Sequence, residues 1–506
     1  MNANKLFSVD QIRAADNYTI EHEPVASVTL MERAAIACAN WIRNKPFKPV
    51  VIHVFCGLGN NGGDGLAIAR LLLEEAYAVS VYIVRYSEKC SEDFLASELA
   101  LKDLAIYEIA NIYTEENIPL ITEEDVIIDS LFGCGLSRPV EGLAAQVIER
   151  INLSKATVIS IDLASGLFAD QHSDPQSSIV KPTYTLSFQF PKAAFFFAEN
   201  EAFVGEFITL PIGLHPQFLE KEPAKNYFLT EAFIKTVIRP RKKFSHKGSY
   251  GHALFIAGSE GKMGAAVLSA KALLRSGAGL LTMHVPGSGY LIIQSTVPEA
   301  MVIADKNARY ISECHPSDRY STVGIGPGIG TEEETGLVLE TLLRSSVKPM
   351  VLDADALNIL SMKKDCLALI PRHSILTPHI KEFERLTRKA DNDFERNRIQ
   401  VEFSQINQVY VILKGAHTCI TTPDGHCYFN SSGNPGMAKG GSGDVLTGTI
   451  TSLLAQSYSP LEAALIGVYV HGLAGDIARL IKGETGMIAS DIIDCLPEAF
   501  LRLSHR

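Results

Sequence analysis

NPGMAKGGSGDVLT, residues 434–447, is the stretch from which the fold is read. Gly440, Gly441 and Gly443 leave successive backbone N–H groups unshielded, and the apolar residues after them (Val445, Leu446, Ile450, Leu453, Leu454) recur at helical spacing. A glycine loop therefore opens a helix. Such a helix start offers partial positive charge and free donors to an anion, most naturally phosphate. Asp444 stands where a carboxylate can take a proton from a hydroxyl while the loop holds a transferring phosphoryl group. Taken alone, the same residues also suit an Asp N-cap after a glycine turn, so the surroundings decide.

Upstream of this loop, short apolar runs alternate with helical segments: GHALFIAG (251–258), a helix from about Gly264 to Ser276, then LLTMHV, STVGIG, PMVLDAD, SILTPH and VYVILKG. The loops after them carry Gly264, Ala265 and Ala266; Gly326, Pro327, Gly328 and Gly330; Asp353, Asp355 and Asn358; His379 and Glu382; and Lys414, Gly415 and His417. Ligands of open α/β sheets bind at such strand ends, so these loops point to one shared site with Asp444. HTCITTPDGHCYFN reads as a hairpin turning at Pro423-Asp424-Gly425.

The first half repeats the class without repeating the sequence. Helical segments up to about Asn44 expose apolar faces (Ile12, Ala15, Ile20; Leu30, Met31, Ala34, Ala35, Cys38, Trp41), and VVIHVF (50–55) reads as a buried strand. After it come the loop CGLGNNGGDG, a helix from Leu66 to about Glu75, and the runs VSVYIV, DVIIDS, TVISIDL and TYTLSF. This alternation predicts a mostly parallel, doubly wound sheet. GNNGGDG (59–65), between strand and helix, predicts a phosphate cradle; it lacks the G-x-G-x-x-G spacing with a later ribose acid, which argues against an ordinary NAD oxidoreductase. DSLFGCGLSRPVEG puts Asp129 at a strand end with Gly133, Gly135 and Arg138 beyond it, and IDLASG does the same for Asp162 and Ser165. Between the halves, from His215 to about Lys247, charge and proline mark a boundary. The expected division is residues 1–215, a boundary at 216–246, and residues 247–506.

The 506 residues carry 46% hydrophobic and 20% charged side chains with a net charge of -11, which argues against a general nucleic-acid surface or an anionic-membrane binder. Nine scattered cysteines without a C-x-x-C pair favour a reducing, cytoplasmic setting over disulfides or zinc. No signal peptide is expected, nor a transmembrane run, the oiliest patch being Phe195 to Ala198.

The order AGS…GAA, GPGIG, LDADALN, TPH…E, LKGAHT and NPGMAKGGSGD resembles the ribokinase-like NAD(P)H-hydrate dehydratase family, over Lys247 to the end. Sugar and vitamin kinases share the final G-x-G-D; the KGAHT, TPH and LDADALN segments set the dehydratases apart. The resemblance implies a ribokinase-like α/β domain that removes water from NADHX and NADPHX, cofactors with an extra hydroxyl on the nicotinamide ring. The hydroxyl is first phosphorylated from ADP or ATP, with Mg2+, and phosphate is then expelled. It implies Asp444 as the base, Lys414, Gly415, Ala416, His417, Thr418 and Gly443 on the adenine nucleotide, and Ala265, Gly326, His379 and Asp444 on the hydrate. In bacterial members ADP is the donor, leaving AMP and phosphate. The family's TPHPGE is TPHIKEFE here, so Ile380-Lys381 is expected to change the loop's path while His379 and Glu382 keep their places.

GNNGGDG, DSLFGCGLSRPVEG and IDLASG resemble the NAD(P)H-hydrate epimerase domain, a Rossmann-like companion that exchanges the R and S hydrates because the dehydratase takes only S. By that resemblance Asn60, Asn61, Gly62, Gly63 and Asp64, with Gly133, Cys134, Gly135, Leu136, Ser137, Arg138 and Pro139, hold the dinucleotide. Asp162 is the acid/base group, and Asn61, Asp129 and Ser165 are ligands of K+. Leu58 replaces the family's Pro, and Leu163-Ala164 replaces Ile-Pro, which is expected to relax the backbone beside Asp162. The partners implied are the hydrate substrates and an adenine nucleotide, with no nucleic acid or membrane, in a homo-oligomer of four or more chains. Two competing readings are a small-molecule kinase using Asp444 and a binding-only first domain; retention of Asn61, Asp129, Asp162 and Ser165 argues against the second.

Overall fold

The computed structural model describes residues 4–47, 49–104 and 109–504; residues 1–3 and 505–506 of the expected spans lie outside them. The chain divides into two compact units, one built on Lys5–Ala224 and the other on Lys225–Asp391 and Glu395–Arg506.

In the first unit seven strands lie in the order Ala110–Ile112, Val79–Val84, Ile52–Cys56, Val126–Ser130, Thr157–Ile161, Tyr184–Phe188, Glu206–Leu210. Every neighbouring pair is parallel. The strands read as near-continuous apolar runs because helices cover both faces: all five residues of Ile52–Cys56 are buried. The chain starts at that strand, builds outward on one side, then returns to build on the other. The order therefore reverses between Ile52–Cys56 and Val126–Ser130, and the crevice at their carboxyl ends is where a doubly wound fold takes its ligand. Helix Val9–His22 starts at Ser8, whose capping box with Gln11 satisfies two backbone donors. Helix Ser27–Arg43 buries Leu30, Met31, Ala34, Ala35, Cys38 and Ile42; Trp41 is only half-buried.

The glycine stretch departs from expectation. The helix begins at Asn60, not Leu66, so GNNGGDG forms the cap and opening turns of Asn60–Glu74. Packing explains its composition: a Cβ on Gly62 would stand 2.0 Å from the Gly57 carbonyl oxygen, and one on Gly65 1.9 Å from the Ser130 hydroxyl. These glycines let a helix press onto the sheet.

The second unit's sheet runs Asn226–Phe228, Cys427–Phe429, Cys419–Thr421, Tyr410–Leu413, Ile375–Leu376, Val351–Leu352, Thr322–Ile325, His252–Ile256, Leu280–Val285, Met301–Ala304. It is parallel from Tyr410–Leu413 onward. Cys419–Thr421 and Cys427–Phe429 form the expected antiparallel hairpin, with Gly425 at φ +86° in the turn. Much of the expected boundary is ordered: Asn226–Phe228 joins this sheet, and helix Glu231–Val237, capped by Thr230, buries Phe233, Ile234 and Val237 in the core.

Helix Ser442–Ala455 packs on Met263–Arg275 so closely that a Cβ on Gly448 would come 2.3 Å from the Ser269 carbonyl oxygen. The expectation of no run of transmembrane length needs correcting. Pro460–Gly486 is long and apolar enough by composition, but 72% of its most apolar window is buried in the protein, where it packs against Ser442–Ala455 and Ala489–Leu503.

Candidate active sites

A cavity of roughly 570 Å³ opens at the crevice of the first unit. Of the residues expected to hold a dinucleotide, Asn60, Asn61, Asp64, Gly133, Cys134, Gly135, Leu136, Ser137 and Arg138 line it, together with Asp162. Gly62, Gly63 and Pro139 are not on its wall. Gly62 and Gly63 are buried instead, where a Cβ would strike the Gly57 backbone and the Met31 thioether.

Asp129, fully buried, accepts from Ser160 Oγ at 2.7 Å, Ser165 N at 2.9 Å and Ser165 Oγ at 2.5 Å. Ser165 Oγ also lies 2.8 Å from the Phe132 amide and 3.2 Å from its carbonyl. Asn61 is buried with neither side-chain atom partnered. An orphaned amide oxygen is costly unless something else pairs with it. Gly133 makes room for Asn61, 3.3 Å from where its Cβ would be.

Asp162 sits at φ +64°, a left-handed conformation uncommon outside glycine and suggestive of function. The Asp162 amide donates to Leu186 O at 2.7 Å, and its carboxylate is pinned by Lys192 Nζ at 2.8 Å and by the Phe188 amide at 3.3 Å. Lys192, with 1% of its surface exposed, also donates to Ser187 Oγ and Phe190 O. Sequence reading missed Lys192, since PKAA looks like a turn. It missed Asp16 too, which lines the cavity from helix Val9–His22. Burial, then the charge of Asp162, push the Asp16 carboxyl up to about 7 against the pull of Lys192.

In the second unit the expected loops converge. His379 and Lys414 form a parallel bridge, and Lys414 N donates to Pro378 O at 3.0 Å. His379 caps helix Ile380–Leu386 in a reciprocal box with Glu382, so Ile380 and Lys381 open a helix at this point in the loop. Lys414 Nζ donates to Asp353 Oδ1 at 3.0 Å and lies 3.9 Å from Glu382; Thr447 Oγ1 donates to the other Asp353 oxygen at 2.6 Å. A Cβ on Gly443 would sit 3.4 Å from Lys414 Nζ, and one on Gly326 would strike the Asp353 carbonyl. Ala265 neighbours Gly328 in the same way. Gly415 and Ala416 are exposed at a turn closed by Thr418 Oγ1 on Gly415 O, while His417 Nδ1 donates to Asn430 O at 3.0 Å.

Asp444 lies in the first turn of Ser442–Ala455, after Gly441 at φ +91°, and its carboxyl has no hydrogen-bond partner among the described residues. Burial, then the Asp353 charge, push it up to about 7, with Lys414 opposing. A base of that strength works well near neutrality. His471, unforeseen, stands 3.4 Å from Ser442 Oγ and is kept neutral, burial pulling its imidazole down to about 4.

With this geometry in place, comparison with known proteins becomes informative. The family described as NAD(P)H-hydrate dehydratase matches residues 253–498, and the one described as YjeF-related protein N-terminus matches 27–194. A protein named bifunctional NAD(P)H-hydrate repair enzyme Nnr, from Thermofilum pendens, is 35% identical over 99% of this chain and 97% of its own. The chain belongs to this family of bifunctional repair enzymes. Members of the same name from Moorella thermoacetica (34% identical, 95% of this chain and 94% of that one) and Escherichia coli (32%, 96% and 92%) agree over nearly the full length. A solved Bacillus subtilis ADP/ATP-dependent NAD(P)H-hydrate dehydratase is 31% identical, covering 55% of this chain and 98% of its own, at a TM-score of 0.49. The family match to the first unit starts at residue 27, so it leaves out the helix that carries Asp16.

Proposed function

We propose that this chain repairs hydrated NADH and NADPH with two sites, an epimerase in the first unit and a dehydratase in the second. The single observation that carries the reading is family membership over nearly the whole chain. The functional spans are residues 1–215 and 247–506 with a boundary at 216–246; the two compact units support a division in this region, although it falls between Ala224 and Lys225.

In the second unit Asp444 takes the proton of the S-hydrate hydroxyl as that oxygen attacks the terminal phosphoryl group of ADP, which leaves as AMP. Gly441 to Gly443 and the Lys414 ammonium face the charge that spreads over the phosphoryl oxygens. Phosphate is then a competent leaving group where hydroxide was not: the ring nitrogen's electrons expel it as a C=N bond forms, and loss of a proton from the adjacent ring carbon restores the carbon–carbon double bond while the C=N electrons return to nitrogen. Ala265, Gly326 and His379 face the hydrate, and Lys414 to Thr418 with Gly443 take the nucleotide. Mg2+ suits this site as an ion carried on the nucleotide phosphates with most of its water; among the described residues no cluster of three His, Cys, Asp or Glu could hold a metal.

In the first unit Asn60, Asn61 and Asp64, with Gly133 to Arg138, hold the dinucleotide so that Asp162 meets the ring, while Gly62 and Gly63 serve by letting their helix pack closely. The unpartnered Asn61 oxygen, Asp129 and Ser165 form an all-oxygen set that fits K+, which would add a fixed positive charge beneath the dinucleotide. A homo-oligomer of four or more chains is supported by apolar side chains left exposed on the second unit, among them Leu480, Ile481 and Leu501. Nine free cysteines support a reducing, cytoplasmic setting.

Purified protein given an R/S mixture of NADHX with ADP, with ATP or with neither tests this reading by recovery of reduced-nicotinamide absorbance. Recovery of the whole mixture with one nucleotide is expected. Recovery that stops at the S fraction would remove the epimerase, and none at all would remove the dehydratase and favour a small-molecule kinase.

A further inference from the structure

This inference rests on the epimerase reading of the first unit. Inverting the hydroxyl-bearing carbon, which is bonded to the ring nitrogen, requires one proton to be given and one to be taken on opposite faces of the ring. Asp162, ion-paired to buried Lys192, is suited to take one. The cavity holds a second carboxyl suited to give one. Helix Val9–His22 buries Ile12, Ala15 and Thr19, and Asp16 follows on that inner stripe, opening into the cavity that Asp162 lines. Among the described residues its carboxyl has neither a hydrogen bond nor an ion pair; Arg13, one turn earlier, pairs instead with Asp10. A half-buried acid left without a partner beside a second acid costs stability, and such costs persist where chemistry uses them.

We propose that Asp16 is the second acid/base group of the epimerase site, protonating the departing hydroxyl while Asp162 deprotonates the water that returns on the other face. The Asp16 proton moves to the hydroxyl oxygen, the C–O bond breaks with its electron pair leaving as water, and the nitrogen lone pair forms a C=N bond. A water oxygen then bonds the same carbon from the opposite side, the C=N electrons return to nitrogen, and Asp162 takes the surplus proton. The site ends with its proton on Asp162 instead of Asp16, the starting form for the reverse direction, and exchange with solvent restores it.

The groups facing Asp16 agree with this role. Asp162 adds negative charge and Lys192 positive charge, and Asp64 from helix Asn60–Glu74 and Arg138 line the same cavity. The Cys134 thiol is pushed up to about 12, first by burial and then by Asp162, and so stays neutral. Burial, then the charges of Asp162 and Asp16, raise the proton affinity of Asp64 well above the ordinary carboxyl value.

The test follows conversion of pure R-NADHX to S by the full-length protein without nucleotide, from about pH 5.5 to about 8.5. Wild-type conversion should fall as pH rises through about 7, where Asp16 loses its proton. Asp16→Asn should lower it by about 100-fold or more with the thermal transition retained, and Asp16→Glu should restore part of it with a displaced alkaline limb. Conversion within about threefold of wild type in Asp16→Asn overturns the inference, as does an unchanged alkaline limb in Asp16→Glu, which also decides the matter if Asp16→Asn fails to fold. A wild-type protein that converts R no faster than the uncatalysed reaction overturns the epimerase reading itself, and this inference with it.

Discussion

Asp162 in the first unit meets a cation: Lys192 lies 2.8 Å from its carboxylate, and the Phe188 amide adds a weaker donor. Asp444 in the second unit meets no hydrogen-bond donor among the described residues, and burial followed by the charge of Asp353 raises its proton affinity to about 7. Lys414 could have played the part of Lys192, but its ammonium is spent on Asp353 at 3.0 Å. The difference teaches how one residue type is given two jobs. An acid fixed in an ion pair is held in one orientation toward its substrate, whereas an acid left among other acids has its proton affinity raised toward neutral pH.

The comparison breaks most sharply if either acid can be dispensed with. Asp444→Asn should lower nucleotide-dependent dehydration by about 10³-fold or more and leave R-to-S conversion intact, measured separately on each hydrate. Loss of both activities in a folded variant would end the division into two sites.

Next in size is Lys192→Met. It leaves the Asp162 carboxylate buried without its cation, so unfolding of the first unit should become easier by about 3–5 kcal/mol and epimerisation should fall with it. Denaturant titration of the full chain measures the first effect; an unchanged midpoint would show that the pair does not hold Asp162 as described.

Asp353→Asn sharpens the contrast from the other side. It removes the negative neighbour of Asp444, so the acid limb of the dehydration profile, where activity falls as pH drops through about 7, should move to lower pH. A limb that stays in place would assign the titration to another group.

The smallest effect is on stability. Because folding raises the Asp444 proton affinity, this residue's contribution is fully present below its unfolded pKa and is lost as pH rises from about 4 through about 7. Asp444→Asn should therefore be more stable than wild type at pH 8, on the order of 1 kcal/mol, with the gap closing in acid. Equal melting curves at both pH values would contradict it.

Much of this was legible in the chain. The alternation of apolar runs with helical segments led to two parallel sheets, and the loop residues expected to share a site in the second unit do so: His379, Glu382, Lys414, Asp353 and Gly443 form one connected set. Two readings did not survive contact with packing. GNNGGDG was taken for a loop, yet helix geometry brings its glycines against Gly57 and Ser130. Pro460–Gly486 escaped a search for oily patches because it is moderately apolar over 27 residues, as suits a helix in the middle of a core.

Local rules needed only the order of the residues: periodicity named the strands and helices, and the glycine and acid motifs marked the strand ends where chemistry would gather. Which acids would be paired, and which left alone, could not be read that way. Lys192 reaches Asp162 from 30 positions away, Thr447 reaches Asp353 from 94, and Asp16 enters the first site from a helix that no motif marks. A carboxyl's proton affinity depends on burial and on charges brought beside it through space, and only the folded chain sets those distances.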